Sequence, residues 1–437
     1  MVKNEKQSDP SALAEQFLTY EGGQTVRRWR EEYYCWESGR YLCVSNDTVS
    51  QEITRFLQKR VAEDANIVVS NSMVRDVTIN LNAMIHIDEK QEFNSFLDGE
   101  DRGRFLCMKN GLLNIENREL VPHTPNYFSV VRLPYDYDPG ATCPRWKAFI
   151  AQVTRNRGDY AALLQEWFGY LFTPDLRYQK FLLCVGEGAN GKGVMFEVTQ
   201  SIVGVENCSQ VPISRFGNKF ALNSTKGKVV NLTHESSQVL EDDAENVLKS
   251  YVAGDTMTID RKYRDPVNLK PTAKLMISTN TRPRFNDQSQ AVWRRILYVP
   301  FDFVVDEKDQ DKDLAEKLNR ESSGILNWSL VGLDRLNRQG FTEPQGQKEL
   351  MEEYRRDADP ARAYLKEHYA TSSNGEFLAC SDVYKNFTEW CQSNGCRATN
   401  ERTFGQDVRR IFPTVDRRYM GSRGKREYVY QGLSEIL

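Results

Sequence analysis

The spacing of hydrophobic residues divides the chain into regions of different character. In the leading region, apolar side chains recur at helical spacing from Val49 to Val61 and from Met73 to Ile85. The stretch from Tyr33 to Val44 predicts a hairpin that turns at Glu37-Ser38-Gly39. Residues 1–18 are polar, and we expect them to be loose. This pattern predicts an α+β domain over residues 1–145.

Residues 146–300 alternate helical stretches with apolar strands, which is typical of a mostly parallel α/β sheet. Helical periodicity then dominates residues 312–338. The polar, charged stretch from Glu343 to Asp359 predicts a linker, and Asp359-Pro360 is a natural helix start. We therefore expect a second domain over residues 146–345 and a third over residues 346–437.

The last region predicts three helices and then a hairpin, an order that resembles a winged helix. Residues 401–426 hold eight basic and three acidic residues, and such a local excess favours contact with phosphates. A winged helix used only for protein contacts is the alternative. The residues that we expect to contact DNA, on the third helix and at the hairpin tip, are Arg409, Arg410, Arg423, Lys425 and Arg426.

Hydrophobic residues make up 40% and charged residues 27% of the 437-residue chain, an ordinary composition for a soluble globular protein. Because the net charge is −3, any attraction to nucleic acid must come from local patches.

Nine scattered cysteines and only four histidines argue for a reducing compartment and against a zinc site. Neither a signal peptide nor a long apolar run is evident, so we expect a cytoplasmic protein (in the host cell's cytoplasm if viral) without a membrane partner.

The strongest chemical signal is the sequence FLLCVGEGANGKGV at residues 181–194. An apolar strand leads into Gly186-x-x-x-x-Gly191-Lys192, the form of a phosphate-binding loop. Its backbone N–H groups would surround a polyphosphate, and Lys192 would reach the β- and γ-phosphates, so we predict a site for ATP with Mg²⁺. The residues predicted to bind the nucleotide are Gly186, Gly188, Ala189, Asn190, Gly191, Lys192, Gly193 and Val194.

Two features of this loop leave alternatives open. The same glycines spell GxGxxG, the dinucleotide fingerprint, and Glu206 lies near the expected place of a ribose-binding acid. Lys192, directly after the last glycine, favours the phosphate loop. Gly193 stands where Ser or Thr usually holds Mg²⁺, so the metal must find another oxygen.

A phosphate loop needs a carboxylate at the end of a neighbouring strand. The apolar strand that ends in Glu235 supplies one, and Glu235 is the predicted acidic residue and metal ligand, although His234 stands where an Asp often precedes it. The alternative is a strand that ends in an accidental surface glutamate. The next apolar strand ends at Asn280, which would hold the attacking water or touch the γ-phosphate, or would only cap the strand.

Two basic features complete the predicted site. Arg294-Arg295 precedes another apolar strand, and is either an arginine finger for a neighbouring subunit's γ-phosphate or a surface ion pair. Between Glu235 and Asn280, two short strands flank a turn over residues 261–266, which is either a DNA contact or a solvated turn. Its residues predicted to contact DNA are Arg261, Lys262, Tyr263 and Arg264.

The order of these motifs resembles superfamily III AAA+ helicases. The matching parts are GEGANGK, the strand ending in Glu235, Lys249 with Gly254-Asp255, the ISTN strand, and Trp293 to Phe301. More specifically, the chain looks like the helicase part of phage and plasmid primase–helicases, a group related to those of poxviruses. The resemblance runs over nearly the whole chain. The fold class that it implies is α/β, an AAA+ P-loop ATPase core with an α+β N-terminal domain and a C-terminal winged helix.

The resemblance also implies a function: an ATP-driven replicative DNA helicase that forms a hexameric ring around single-stranded DNA, with replication proteins as further partners. Lys192 and Glu235 would act within one subunit, Asn280 would sense the γ-phosphate, and Arg294 or Arg295 would reach across from the next subunit. The hairpin at residues 261–264 would line the channel. No acidic primase centre is evident, so the chain is either a helicase without priming activity or the rear part of a longer primase–helicase.

Two other functions compete with this hypothesis. One is a nucleotide-sensing DNA-binding regulator without translocation; the paired arginines and the basic hairpin argue against it, because a sensor needs neither. The other is a dinucleotide-dependent enzyme, which has little beyond the glycine pattern in its favour.

Overall fold

The computed structural model describes residues 9–20, 25–63, 67–218, 220–235, 240–262, 264–283, 285, 290–306, 308, 310–372, 377–396, 398–420 and 427–436, without the side chains of residues 235, 264, 290, 356 and 357. Contacts divide the chain into two compact units, residues 1–283 with 294–344 and residues 284–293 with 345–437. The domain boundaries predicted from the sequence stay predictions. No helix within the described ranges is long and apolar enough to cross a membrane.

The first unit opens with a helix, a three-stranded antiparallel sheet and two more helices: α1 (Pro10–Thr19), β1 (Val26–Trp29), β2 (Glu32–Glu37), β3 (Arg40–Val44), α2 (Asn46–Glu63) and α3 (Asn71–Met84). The predicted hairpin and both predicted helices are confirmed. The expectation of a loose start is wrong for the part described, because Asp9 caps α1 and Leu13 and Phe17 are buried. Residues 1–8 lie outside the described residues.

Five short strands follow: β4 (Ser95–Phe96), β5 (Phe105–Cys107), β6 (Leu112–Asn114), β7 (Leu120–Val121) and β8 (Tyr127–Phe128). β4 pairs with β8, and β5, β6 and β7 form an antiparallel sheet. Tyr127 and Phe128 are buried, so these small sheets share an aromatic core rather than standing free.

A five-stranded parallel sheet forms the centre of the first unit. In chain order, the helices and strands of residues 144–339 are α4 (Pro144–Val153), α5 (Gly158–Leu171), β9 (Phe181–Val185), α6 (Lys192–Val203), β10 (Cys208–Ser209), β11 (Val230–Glu235), α7 (Asp242–Ala253), β12 (Met257–Arg261), β13 (Arg264–Leu269), β14 (Lys274–Thr279), α8 (Gln290–Trp293), β15 (Ile296–Pro300), α9 (Leu314–Asn319) and α10 (Ser322–Gln339). The strand order is β10-β11-β14-β9-β15, with α8 assigned to the second unit. β9 and β14 are buried along their whole length, which agrees with the continuous apolar run of β9 and the apolar centre of β14.

Helices α5 and α10 are joined by a buried carboxylate. Glu166 on α5 has no exposed surface, and its Oε1 accepts hydrogen bonds from Arg335 Nε at 2.5 Å and Thr342 Oγ1 at 2.7 Å. Its Oε2 accepts from the Thr342 backbone N–H at 2.6 Å. Because both oxygens are satisfied, the buried charge ties the end of α10 to the core instead of weakening it.

The second unit contains α11 (Gln347–Ala358), α12 (Pro360–His368), β16 (Tyr369–Thr371), β17 (Phe377–Ala379), α13 (Cys380–Ser393), α14 (Glu401–Ile411), β18 (Asp416–Met420), β19 (Glu427–Gln431) and β20 (Leu433–Glu435). The predicted order of three helices and a hairpin is found in α12, α13, α14 and β18–β19. The linker predicted from Glu343 to Asp359 is wrong, because α11 occupies most of it. Tyr354 on α11 is buried, with its ring 4.9 Å from that of Trp293.

Candidate nucleotide-binding site

The glycine-rich loop lies between β9 and α6, where the ends of two neighbouring strands hold it. The Gly186 N–H donates to the Thr279 carbonyl oxygen at 3.2 Å, and the Phe301 N–H donates to Val185 at 2.7 Å. Gly191 begins α6 with a φ of +87°, and a Cβ there would lie 2.7 Å from Val153 Cγ1. Both the backbone angle and the space therefore require glycine at this position.

Lys192 is held inside the loop. Its ammonium contacts the carbonyl oxygen of Gly186 and donates to Asn190 Oδ1 at 3.1 Å. Asn190, only 2% exposed, donates in turn from Nδ2 to the Phe301 carbonyl oxygen at 2.9 Å. Burial lowers the pKa of Lys192. The arrangement places a cation beside the first turn of α6, where backbone N–H groups lack helical partners, and so suits a phosphate group.

The other predicted loop residues form the exposed side of the same turn. Gly188 and Ala189 have φ values of +121° and +46°, and the Ala189 carbonyl oxygen accepts from the Val305 N–H at 2.9 Å. Gly193 is exposed and Val194 is half-buried. A Cβ built on Gly193 meets no atom within 4 Å, so the missing hydroxyl at this position is not explained by lack of space.

The predicted acidic strand ends at the same edge of the sheet as the loop. In the β11–β14–β9 ladder, Glu235 pairs with Thr279, and Thr279 pairs with Val185. Since neighbouring strands lie about 4.8 Å apart, the Glu235 backbone is about 10 Å from the start of the loop. Asn280 directly follows β14 and is exposed. The side chain of Glu235 lies outside the described residues.

His234 directly precedes Glu235 on β11, at the position where the sequence pattern would place a second acid. Its ring packs at a tilt of 38° against Phe196 of α6, with centroids 5.1 Å apart, and the residue is exposed. It lines a cleft of 350 Å³ together with Gly193 and Glu197. Solvent therefore reaches the loop at the position where the metal-holding hydroxyl is missing.

The residues present fit a magnesium ion that is bound mainly through phosphate oxygens and water. Within the described ranges, no three His, Cys, Asp or Glu side chains are grouped to hold a metal ion. Mg²⁺ in nucleotide sites usually keeps several waters and needs only one or two carboxylates. Glu235 is the residue at this sheet edge predicted to provide one.

Arg294 and Arg295 lie at the opposite edge of the sheet, before β15. The Phe181 N–H at the start of β9 donates to the Arg295 carbonyl oxygen at 2.8 Å. Because a five-residue strand spans about 17 Å, neither arginine is next to the loop of its own chain. Arg294 is exposed, whereas Arg295 is 7% exposed. Sequence reasoning missed Lys180, whose Nζ donates to the Arg294 carbonyl oxygen.

The predicted DNA-contacting turn is shorter than expected, because β12 continues to Arg261 and β13 starts at Arg264. Arg261 is not a free tip residue. Its side chain is 7% exposed and lies 3.6 Å from Glu32 and 3.8 Å from Glu31, which corrects its assignment as a DNA contact. Lys262 is exposed. Tyr263 and the side chain of Arg264 lie outside the described residues.

In the second unit, the two helix arginines differ. Both are exposed, but Arg410 lies 2.9 Å from Asp407 and 3.6 Å from Asp359, so its charge is already paired. Arg423, Lys425 and Arg426 lie outside the described residues. β18 is exposed throughout, and its Arg417 guanidinium lies 4.1 Å from the centre of the Tyr428 ring. Sequence reasoning did not single out this strand, although Arg417-Arg418-Tyr419 has the basic and aromatic composition of a nucleic-acid contact.

Three family models match separate segments of the chain. "D5 N terminal like" matches residues 17–155, a family of unknown function (DUF5906) matches residues 184–295, and the RFX DNA-binding domain matches residues 359–436. The chain is 34% identical over 73 residues to human DNA-binding protein RFX5, which covers 16% of this chain and 11% of that protein.

A putative helicase of Acanthamoeba polyphaga mimivirus, L207/L206, is 21% identical over 265 residues, which is 55% of this chain. The chain spans 28% of the length of that relative. In fold, the chain is similar to the apo structure of the NrS-1 C-terminal region, with a TM-score of 0.58 over 97% of this chain and 99% of the other, at 13% identity. The first relative and the D5 N-terminal-like match support a likeness to a viral helicase over part of the chain, and the NrS-1 structure supports a mixed α/β fold with a parallel sheet. The relationship to phage primase–helicases stays a prediction. The assignment to superfamily III stays a prediction.

Proposed function

We propose that the chain is the motor of an ATP-dependent DNA helicase from a phage, plasmid or related mobile element. It would have an AAA+ core of superfamily III and would translocate on single-stranded DNA as a hexameric ring. Hydrolysis of ATP, bound with Mg²⁺, would drive translocation. The likeness to a putative viral helicase and to the D5 N-terminal-like family supports a replication role.

The observation that carries this proposal is that Lys192 and the strand ends at Glu235 and Asn280 lie at the same edge of the sheet. Asn190 holds the Lys192 ammonium within the loop. The strand that ends in Glu235 and the strand that ends before Asn280 are paired in register and end at the same edge of the sheet as the loop. Phosphoryl transfer needs mainly positioned positive charge and an oriented water, and this edge offers a place for each. The ammonium of Lys192 would move from the Gly186 carbonyl oxygen to the phosphates when ATP binds.

The position of the arginines supports a site shared between subunits. Arg294 is exposed but lies at the far edge of the sheet from its own loop, so an arginine finger at this position would have to act on a neighbouring subunit. Arg295, which is buried, is the weaker choice. The pair thus supports a ring, and in it Arg294 would be the residue that reaches the γ-phosphate.

Two further surfaces would engage DNA. Lys262 at the exposed end of the β12–β13 hairpin, with Tyr263 and Arg264, would contact the strand in the channel. The second unit would act as a winged helix, which its similarity to the RFX DNA-binding domain supports. There, Arg409 and the segment with Arg423, Lys425 and Arg426 would meet phosphates.

ATP turnover with and without single-stranded DNA, measured beside Lys192→Ala, tests the proposal. We expect DNA to stimulate turnover in the wild type and Lys192→Ala to abolish it. A protein that binds ATP and DNA but hydrolyses nothing would instead be a nucleotide-sensing DNA-binding regulator. The RFX-like segment favours that second candidate, because the named relatives there are DNA-binding proteins and a transcription factor.

A further inference from the structure

Both strands of the β12–β13 hairpin are hydrogen-bonded to the turn between β1 and β2. In that turn, Arg30 and Glu31 have φ values of +50° and +65°. Arg30 NH1 donates to the Asn268 carbonyl oxygen on β13 at 2.6 Å. Arg261 NH1 on β12 donates to the Arg30 carbonyl oxygen at 3.4 Å. Both strands of the hairpin therefore contact one residue, which lies more than two hundred positions earlier in the chain.

Glu32 is the centre of the charge network at this contact. It is 13% exposed, and its carboxylate accepts from the Lys226 ammonium and from the Tyr34 hydroxyl at 2.8 Å. Arg261 NH1 lies 3.6 Å from the same carboxylate. Burial by itself would raise the pKa of Glu32, but the charge and hydrogen bond of Lys226 leave it lowered. The carboxylate is thus ionised and holds two cations, one of which is on the hairpin.

The β1–β2 turn packs against a buried aromatic cluster. The Arg30 guanidinium lies 4.4 Å from the centre of the Trp29 ring, and it donates to the Glu89 carbonyl oxygen at 3.2 and 2.9 Å. Trp29 is 2% exposed and packs edge-on against Phe93 and Phe128, with ring centroids 4.8 and 5.6 Å apart. A buried aromatic cluster leaves the turn little freedom to follow a moving hairpin.

We infer that the β1–β2 turn anchors the β12–β13 hairpin, and that Glu32 and Arg30 are positioning residues that hold the hairpin in place. The inference rests on the proposed function, in which the hairpin engages DNA. Arg261, the last residue of β12, fixes the hairpin directly before its turn and leaves the exposed Lys262, the next residue, to contact DNA. The N-terminal region then moves with the hairpin as one body, instead of the hairpin swinging alone.

The test uses the full chain and two substitutions, with one matched control. Glu32→Gln keeps the shape but removes the charge that holds Lys226 and Arg261. Arg30→Gln removes the bond to Asn268 without leaving an unpaired cation. Glu92→Gln is the control, because its exposed pair with Lys270 at 3.5 Å also joins this region to the end of β13 and exposed pairs contribute little.

The first measurement is hydrogen exchange at the amides of β12 and β13. We expect exchange there to accelerate about tenfold in Glu32→Gln and in Arg30→Gln, while β9 and β14 stay as protected as in the wild type. The control should match the wild type. Unchanged protection of the hairpin in both variants would overturn the inference. If Glu32→Gln also accelerates hydrogen exchange in β9 and β14, its effect is not confined to the hairpin. In that case, exchange in Arg30→Gln decides whether the turn anchors the hairpin.

The second measurement is ATP turnover with and without an oligo-deoxythymidine strand. We expect stimulation by DNA to fall about fivefold or more, with basal turnover and the KM for ATP within about twofold of the wild type. A loosened hairpin with full stimulation would reject the positioning role. A wild type without any turnover would reject the proposed function instead, and hydrogen exchange would still decide whether the turn anchors the hairpin.

Discussion

The side chain of Asn190 links Lys192 to the end of β15. Its Oδ1 accepts from the Lys192 ammonium at 3.1 Å, and its Nδ2 donates to the Phe301 carbonyl oxygen at 2.9 Å. One amide therefore orients the cation and fixes the loop to the sheet. A hydrogen-bond donor that is already oriented, such as the Lys192 ammonium, binds a ligand more tightly because it loses little conformational freedom on binding.

We predict that Asn190→Ala weakens ATP binding about tenfold, because the loop loses a buried hydrogen bond to a charged group. Ala189→Gly is the control: Ala189 has a φ of +46°, which glycine adopts readily, and it should bind ATP as the wild type does. Titration with a fluorescent ATP analogue measures both. Equal affinity of Asn190→Ala and the wild type would show that the link is not used for binding.

Gly193→Ser should strengthen the use of Mg²⁺. A Cβ at this position meets nothing within 4 Å, so the serine fits, and its hydroxyl would stand where a phosphate loop usually holds the metal. We expect the Mg²⁺ concentration for half-maximal ATP turnover to fall several-fold. Gly193→Ala is the matched control, since it brings a gain in helix propensity of up to about 1 kcal/mol, at least as large as that of serine, without an oxygen. The same Mg²⁺ dependence for both variants would contradict this role of the hydroxyl.

Local pattern was enough to predict the β2–β3 hairpin, the helices α2 and α3, and the strands around the glycine-rich loop. β9 is an apolar run followed by a glycine, whereas β11 and β14 contain apolar residues and end at an acid or before an asparagine. Their parallel pairing follows from the alternation with helices. The loop residues at 186–194 come together because they are adjacent in sequence. Contacts between residues that are adjacent in sequence can be predicted without knowing the fold.

The errors arose where a distant partner decides the structure. Residues 347–358 form α11 because Tyr354 packs on Trp293, a contact between segments far apart in the chain. Arg261 looks like a solvated tip residue in the sequence, but Glu32 holds it. Whether a charged residue is exposed or paired depends on long-range packing, which neither periodicity nor composition reports.

Glu166→Ala should destabilise the first unit by about 3 kcal/mol, because it leaves Arg335 partly buried without its carboxylate. Chemical denaturation followed by tryptophan fluorescence measures the free energy of unfolding. Glu316→Ala is the control, since its pair with Arg320 is exposed on both sides and should change stability by less than about 0.5 kcal/mol. Similar losses in the two variants would show that the buried pair contributes nothing specific.

Lys274 predicts a pH dependence of stability. It is 1% exposed at the start of β14, its Nζ donates to the Thr173 carbonyl oxygen, and burial lowers its pKa to about 7. The folded chain therefore binds fewer protons at this lysine than the unfolded chain between about pH 7 and pH 10. Its contribution to stability is present at alkaline pH and is lost as the pH falls toward 7.

Lys274→Met should remove this dependence, because methionine fills a similar volume without a titrating group. From pH 7.5 to 9.5, the wild type should gain free energy of unfolding relative to the variant, by up to about 1.4 kcal/mol per pH unit. Urea denaturation of both proteins across this range measures the difference. Lys270→Met, at a lysine whose side chain is 61% exposed, should keep the wild-type slope. Parallel curves for the wild type and Lys274→Met would contradict a neutral buried lysine.

The separation of Lys192 from Arg294 predicts that two inactive variants restore each other. Lys192→Ala removes the cation within the loop, and Arg294→Ala removes the exposed arginine at the far sheet edge, which as a finger would be worth about a thousandfold or more in turnover. Each variant alone should be inactive. In a mixed ring, an Arg294→Ala subunit has an intact loop and a Lys192→Ala neighbour offers an intact arginine.

Random mixing in equal amounts makes one interface in four productive, so we expect about a quarter of the wild-type turnover. The measurement is ATP hydrolysis in the presence of single-stranded DNA after the two variants have been combined and allowed to exchange subunits. Mixing either variant with itself at the same total concentration is the control. A mixture as inactive as its components would mean that both residues serve one subunit or that Arg294 is not the finger, because only a site built from two chains can be repaired in this way.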